Sequence, residues 1–296
     1  FKGSPLGHNI LGTAEQVRAF TTEDALRFTR KLYRPDNAIF FAYGNIDFKK
    51  LVKLIGRALA DNDSMSKLAN NEVPQISQIT QISRDENSIA EEKSVSSVKS
   101  VGPKNYPSVG DGIAGQTIVM QKNTHQAHVM IGTRAYDVND DRRMPLYLLN
   151  NMLGGPGMNA KLNLALREHN GLVYTVESTM AAYGDTGIWS IYFGCDEHDV
   201  KRCLRLVRKE LDKFMQKPLS EAQLKAAKKQ IKGQVGVACD NRENFALDFG
   251  KSFLHYGWEK NVDRLYEQVD EITAEQIQAV AQELFDKDRL TTLIFR

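Results

Sequence analysis

The sequence predicts an α+β fold. It is read as two related α/β layered domains, each a mixed or antiparallel sheet with helices on one face, the first domain incomplete. Three observations carry this. Strand-like runs joined by short turns sit beside clustered helical segments, which favours an α+β layer over a doubly wound parallel sheet. Residues 1–60 read helix, short connection, strand, helix, an order the later part of the chain repeats, so a weak internal duplication is expected, its first copy short at the N-terminus. The length, 296 residues, suits about two domains of ~150 residues, each with its own core.

The elements follow in order. Thr21-Thr22-Glu23-Asp24 places a hydroxyl cap before acids in a first helical turn. The helix carries Leu26, Phe28, Leu32 and Tyr33 and is stopped by Pro35, which has no N–H and restricts the residue before it. Ala38 to Tyr43 is a continuous apolar run bounded by Pro35 and Gly44 and predicts a buried strand. Asn45-Ile46-Asp47 caps a helix with Leu51, Val52, Leu54, Ile55 and Leu59. From Asp61 to Gly115 serine, asparagine and charge dominate, and Phe and Trp are absent. Such a stretch buries little apolar surface and reads as an interdomain linker, with an ordered wrapping loop as the alternative; Ile76, Ile79 and Ile82 hint that part of it docks. The domain boundaries are therefore 1–60, 61–115 and 116–296.

In the last segment, Gln116 to Met120 and Ala127 to Gly132 are strand-like, and Asp140 to Leu153 is helical. Gly154-Gly155-Pro156-Gly157 is a turn, and Asn159 is expected to cap a helix running to about His169. Leu172 to Ala182 and Gly187 to Gly194 form a hairpin over Tyr183-Gly184-Asp185-Thr186. Three or four helices follow between Asp199 and Leu284, and Leu290 to Phe295 closes as a strand.

Composition narrows the function. Lys plus Arg number 39 and Asp plus Glu 37, and that balance argues against a dedicated nucleic-acid or membrane-surface protein. No apolar run approaches the ~20 residues of a membrane span. Cys195, Cys203 and Cys239 are odd in number and scattered, so no disulfide framework or thiolate metal site is expected. A reducing, cytoplasmic compartment fits them best. The sequence begins Phe1-Lys2-Gly3 without an initiator Met, which leaves a processed start, a missing N-terminus and a signal peptide all open.

Few residues announce chemistry. His125-Gln126-Ala127-His128 has its histidines three apart, without a Glu between them and on a strand, where such residues point to opposite faces. They read as ordinary strand histidines. Gly154 to Gly157 lacks the Lys-Ser/Thr ending of a phosphate loop. The Lys/Arg-rich stretch from Lys201 to Lys232 reads as a solvated helix face. One constellation stands out. Arg167 lies at a helix C-terminus and Tyr174 on the strand after a Gly turn, a corner where a cation and a phenol can hold a peptide carbonyl or a developing oxyanion. The competing reading is a helix-end Arg serving the dipole and a half-buried strand Tyr.

Gly154-Gly155-Pro156-Gly157-Met158-Asn159-Ala160-Lys161-Leu162, with Leu166-Arg167-Glu168 and Gly171-Leu172-Val173-Tyr174, resembles the second-domain signature of the insulinase/pitrilysin (M16) family of zinc peptidases. Pro5-Leu6-Gly7-His8-Asn9-Ile10-Leu11-Gly12, Tyr33-Arg34-Pro35-Asp36-Asn37 and Gly44-Asn45-Ile46-Asp47 resemble the rear of that family's first domain. The strand Lys122 to Gly132, with Gln126-Ala127-His128, resembles the entry to the second. The resemblance implies two homologous domains that, with a second pair, enclose a chamber for unfolded peptides. It implies a zinc held by an inverted His-x-x-Glu-His helix and a later Glu, all before the Pro-Leu-Gly segment. The chain is then expected to be the rear of domain one plus all of domain two, with no metal ligand or assigned catalytic residue of its own.

On this resemblance Arg167 and Tyr174 are substrate-binding residues that reach the transition state opposite the zinc. Asn159-Ala160-Lys161 departs from the Ser-Ser-Arg often found there, and Lys cannot reproduce bidentate Arg contacts. The expected function is the C-terminal portion of an insulinase-type zinc endopeptidase, inert alone, that supplies chamber wall and substrate contacts. The alternatives are a non-catalytic partner subunit and a peptide-binding scaffold of the same fold. Zinc belongs to the intact protein or a partner; the expected partners are an unfolded peptide and a homodimer or heterodimer mate, with no nucleic acid and no membrane.

Overall fold

A computed structural model describes residues 1, 3–60, 106, 114–122, 124–257 and 261–296. The expected linker, apart from Tyr106, Ala114 and Gly115, and with it Ile76, Ile79 and Ile82, lies outside the described residues. The chain divides into two compact units. The larger holds the described residues of 1–19, 99–240 and 261–296; the smaller holds those of 20–60 and 241–257.

The larger unit is built on a five-stranded sheet: β1 (Thr117–Met120), β2 (Ala127–Ala135), β3 (Val173–Ala182), β4 (Gly187–Cys195) and β5 (Thr291–Phe295), in the order β1-β5-β2-β4-β3. β1 and β5 run parallel and every other neighbour pair is antiparallel, so the sheet is mixed, as the sequence predicts. Alternation along the strands decides which face is covered. Val129, Ile131, Trp189, Ile191 and Phe193 are buried, while His128, Met130 and Tyr192 on the opposite face are not. The buried face meets α4 (Arg143–Gly154), α5 (Val200–Gln216) and α9 (Ala274–Leu284). These bring Leu146, Leu149, Leu153, Val207, Leu211, Ile277, Val280 and Leu284, each at most 2% exposed, into one core. Burying each such side chain is worth about 1.5–3 kcal/mol. Trp189 packs on Phe285 with ring centroids 4.6 Å apart. α6 (Glu221–Asp240) and α8 (Val262–Glu271) complete the unit. A short helix, α1 (Ala14–Ala19), stands in its N-terminal stretch.

The smaller unit contains α2 (Thr22–Leu32), α3 (Phe48–Ala60) and α7 (Arg242–Tyr256). α2 starts in a capping box: the Asp24 N–H donates to the Thr21 hydroxyl (3.2 Å), and the Thr21 N–H donates to the Asp24 carboxylate (3.0 Å). α3 is capped by Asp47, which accepts from the Lys50 N–H at 3.0 Å. Residues 38–43 are not a strand. Among the described residues no strand pairs with them, and Phe40 is 64% exposed. The apolar run instead lays its rings on a helix: Phe41 on Phe249 (4.8 Å) and Tyr43 on Phe245 (5.5 Å). A strand needs a neighbour for its backbone N–H and C=O groups, and apolar sequence alone does not supply one. Among the described residues five helices stand between Val200 and Leu284, one or two more than expected, and α7 groups with residues 20–60 rather than with the sheet.

Candidate functional site

The site is an open groove of about 680 Å³ in the larger unit. Its walls are the C-terminal end of α4, the glycine turn 154–157, the strand β3 from Tyr174 to Thr179 and the far part of α6 at Gln234, Val235 and Ala238. β3 is the edge of the sheet, so one side of its backbone has no strand partner among the described residues.

The turn sits tight against β3. A Cβ on Gly154 would fall on the backbone of Ser178, and one on Gly155 on Asn151. Only glycine lets the two pieces of backbone approach this closely. Below them a buried chain of hydrogen bonds holds the strand to α4. The Trp189 indole N–H donates to the Ser178 hydroxyl (3.0 Å), which donates to Asn150 Oδ1 (2.6 Å).

The structure brings Arg167 and Tyr174 together at the mouth of this groove, with the Arg167 guanidinium 5.8 Å from the Tyr174 ring centroid. Two local features put them there. Asn163–Glu168 is wound as a π-helical turn, and the His169 N–H donates to the Leu164 carbonyl at 3.0 Å, five residues back. Gly171 closes the helix at φ +61°, and the Leu172 N–H reaches back to the Leu166 carbonyl (2.9 Å). β3 then carries a bulge between Val173 and Val176 that leaves both Tyr174 and Thr175 exposed and re-aims Tyr174, which is 82% accessible, at solvent. Tyr174 is therefore not the half-buried strand residue of the competing reading. Arg167 also keeps Glu168 within 3.7 Å.

Asn159 does not cap the following helix. Its side chain exchanges hydrogen bonds with Gln230 of α6 (3.0 and 3.3 Å), and the Leu164 N–H takes the Ala160 carbonyl instead. A short polar residue before a helix is satisfied equally well by a partner across the groove. Sequence reading missed Asn150, Ser178, Gln230 and the α6 wall. Nothing local marks them, because each acquires its role from a residue 11 to 71 positions away.

Among the described residues the donors do not make a catalytic zinc centre. His125 lies in a bend, and His128 Nδ1 is 2.8 Å from the Tyr192 hydroxyl on the open face of the sheet. Among the described residues, one group of three donor side chains lies close together, Asp196, His198 and Asp199. It is a surface cluster of two carboxylates and one imidazole before α5. That donor set does not fit a catalytic zinc held on a helix by two histidines. Cys195, Cys203 and Cys239 are free thiols. The hydrogen bond that the Cys203 thiol donates to Cys195, together with burial, pushes Cys203 above its ordinary range. No helix of the described residues is long and apolar enough to cross a membrane.

The family profile described as the peptidase M16 inactive domain matches residues 19–231, most of the chain, and the protein belongs to the peptidase M16 family. An uncharacterized zinc protease of Streptomyces coelicolor is 27% identical over 97% of this chain and 56% of its own length. The mitochondrial-processing peptidase subunit beta of Saccharomyces cerevisiae is 24% identical over 94% of this chain and 55% of its own length. The crystal structure of a peptidase M16 inactive domain from Pseudomonas fluorescens superposes with a TM-score of 0.67 at 17% identity, over 100% of this chain and 62% of that one. The chain thus spans a little over half the length of these relatives.

Proposed function

We propose that this chain is the non-metal portion of an M16-type zinc endopeptidase and that its groove holds an extended stretch of an unfolded peptide. The observation that carries this reading is the edge strand β3, without a strand partner on one side among the described residues, running between the glycine turn and the Arg167–Tyr174 pair. An extended peptide can add to such an edge through main-chain hydrogen bonds, with neighbouring pockets taking alternate side chains. The Arg167 guanidinium and the Tyr174 hydroxyl are donors at the mouth, placed to steady a peptide carbonyl whose oxygen gains charge during hydrolysis. Zinc, carried on another portion of the intact protein or by a partner subunit, would polarise that carbonyl and activate water. Family membership and relatives named as zinc proteases support this assignment.

The partner-subunit alternative shares the same groove and differs only in which chain brings the metal; a relative named as a subunit supports keeping it. In both forms a homodimer or heterodimer mate faces the groove across a chamber. The free thiols support a cytoplasmic setting. Arg167→Ala and Tyr174→Phe in the assembled protein are expected to lower kcat/KM for a peptide roughly tenfold to hundredfold each, with the fold intact by circular dichroism. Unchanged turnover in both variants would reduce the pair to structure and leave a scaffold role. The 296-residue chain alone is expected to show no peptide cleavage; chelator-sensitive cleavage by it would overturn the assignment of the metal to another portion.

A further inference from the structure

Helix α5 carries a second surface, separate from the groove. Its apolar side, with Val200, Cys203, Val207, Leu211 and Phe214, is locked into the core. The opposite side presents Lys201, Arg205, Lys209 and Lys213, and Lys217 follows at the C-cap, all exposed. The spacing is four residues throughout. From Lys201 to Lys213 it makes a ridge of cations about 6 Å apart and about 18 Å long, winding slowly round the outer side of the helix, with Lys217 on the extended residue beyond. An open trough of about 550 Å³ runs along the same side, lined by Arg205, Arg208, Lys209 and Lys213, with the Asp212 carboxylate, paired to Arg208, among them.

The row works against the helix that carries it. Like charges four residues apart repel, and a cation in the first turn, as at Lys201, opposes the helix dipole. Little within the described residues relieves this. Lys213 pairs with Glu210 (2.6 Å) and Arg208 with Asp212 (2.7 Å), but Lys201, Arg205 and Lys209 have no ion pair there. The neighbouring α9 turns Gln278 and Gln282, which are uncharged, toward the end of α5, where both donate to the Met215 carbonyl. In a chain whose basic and acidic residues number 39 and 37, this is a marked local segregation of charge.

We propose that this row docks an acidic helix of a partner protein, with carboxylates at the same four-residue spacing. The shape of the surface favours that occupant. No large apolar side chain of α5 is strongly exposed, so nothing is on offer to insert into a bilayer. No aromatic ring lines the row for base stacking. Asp196 and Asp199 stand at its N-terminal end, beside Glu197, which is paired with Arg296 (3.0 Å), and their negative charge lies where a long duplex would have to cross.

The test uses the 296-residue chain and a labelled synthetic peptide of about twenty residues with Glu at every fourth position in an Ala-rich helix. A control peptide has the same composition in scrambled order. Fluorescence anisotropy is expected to show salt-sensitive binding of the patterned peptide and weaker binding of the scrambled one. The triple variant Lys201→Gln/Arg205→Gln/Lys209→Gln is expected to weaken the patterned peptide roughly tenfold, the scale of three exposed charge pairs. Its melting temperature is expected to stay level or rise, because the row opposes its own helix; a structural role would instead lower it. Equal binding of both peptides, no loss in the triple variant, or preference for phosphatidylserine vesicles or a 20-bp DNA duplex over the peptide would each overturn the proposal.

Discussion

Ser178 shows how much one hydroxyl can hold. It accepts from a fully buried indole and donates to Asn150, and it lies beneath the glycine turn of the groove. Ser178→Ala leaves the Trp189 N–H without its partner and is expected to cost about 1–3 kcal/mol, read as a lower urea midpoint. Gly171 acts through its backbone alone. Its φ is +61°, and nothing lies within 4 Å of the place a Cβ would take, so Gly171→Ala meets no clash but forces an L-residue into the left-handed region. A loss of about 1–2 kcal/mol in the same titration is expected. Arg167 and Tyr174 were readable as a pair from their flanking glycine turn. Their 5.8 Å approach was not, because it depends on a π-turn and a bulge that leave no mark in local propensity.

At the scale of elements, helix caps are the most predictable part of this protein. Thr21 and Asp24 satisfy each other's backbone, and the hydrogen bonds from the Thr21 side chain, then from its backbone, hold the Asp24 carboxyl below its ordinary range. The sign follows from that lowering. The cap's contribution is present above the unfolded carboxyl's pKa and is lost as pH falls through the lower, folded value. Asp24 in Thr21→Ala is therefore expected to titrate higher than in the parent, nearer an ordinary aspartate, when its side-chain carbon is followed by NMR; an unmoved titration would show that the hydroxyl is not the cause. The same logic identified the Asp47 cap and the stop at Pro35. Cap reading failed for Asn159, and the apolar-run reading failed for residues 38–43, where a partner distant in sequence decided the outcome: Gln230 in the first case, the rings of α7 in the second.

For the whole molecule, the exposed rings of the smaller unit bear on association. Phe28, Phe40, Tyr43 and Leu54 are each at least half exposed there, which is more apolar surface than an isolated unit usually leaves in water. The chain is expected to bind a hydrophobic dye and to sediment above its 33.3 kDa monomer mass at micromolar concentration. A dye-silent monomer would show that these faces are covered.

The sequence by itself determined the α+β class, the hairpin, the closing strand, the helix starts at Thr21 and Asp47 and the family signature around residues 154–174. These rest on periodicity, turn residues and caps, which act over a few positions. Only the tertiary structure decided that β3 is an edge, that the glycine turn and α6 wall it into a groove, and that Tyr136 is tied to Glu283 across 147 positions at 2.6 Å. Strand order and buried hydrogen bonds between remote residues come from how whole faces pack, and chain-local chemistry carries no record of which face a residue will meet.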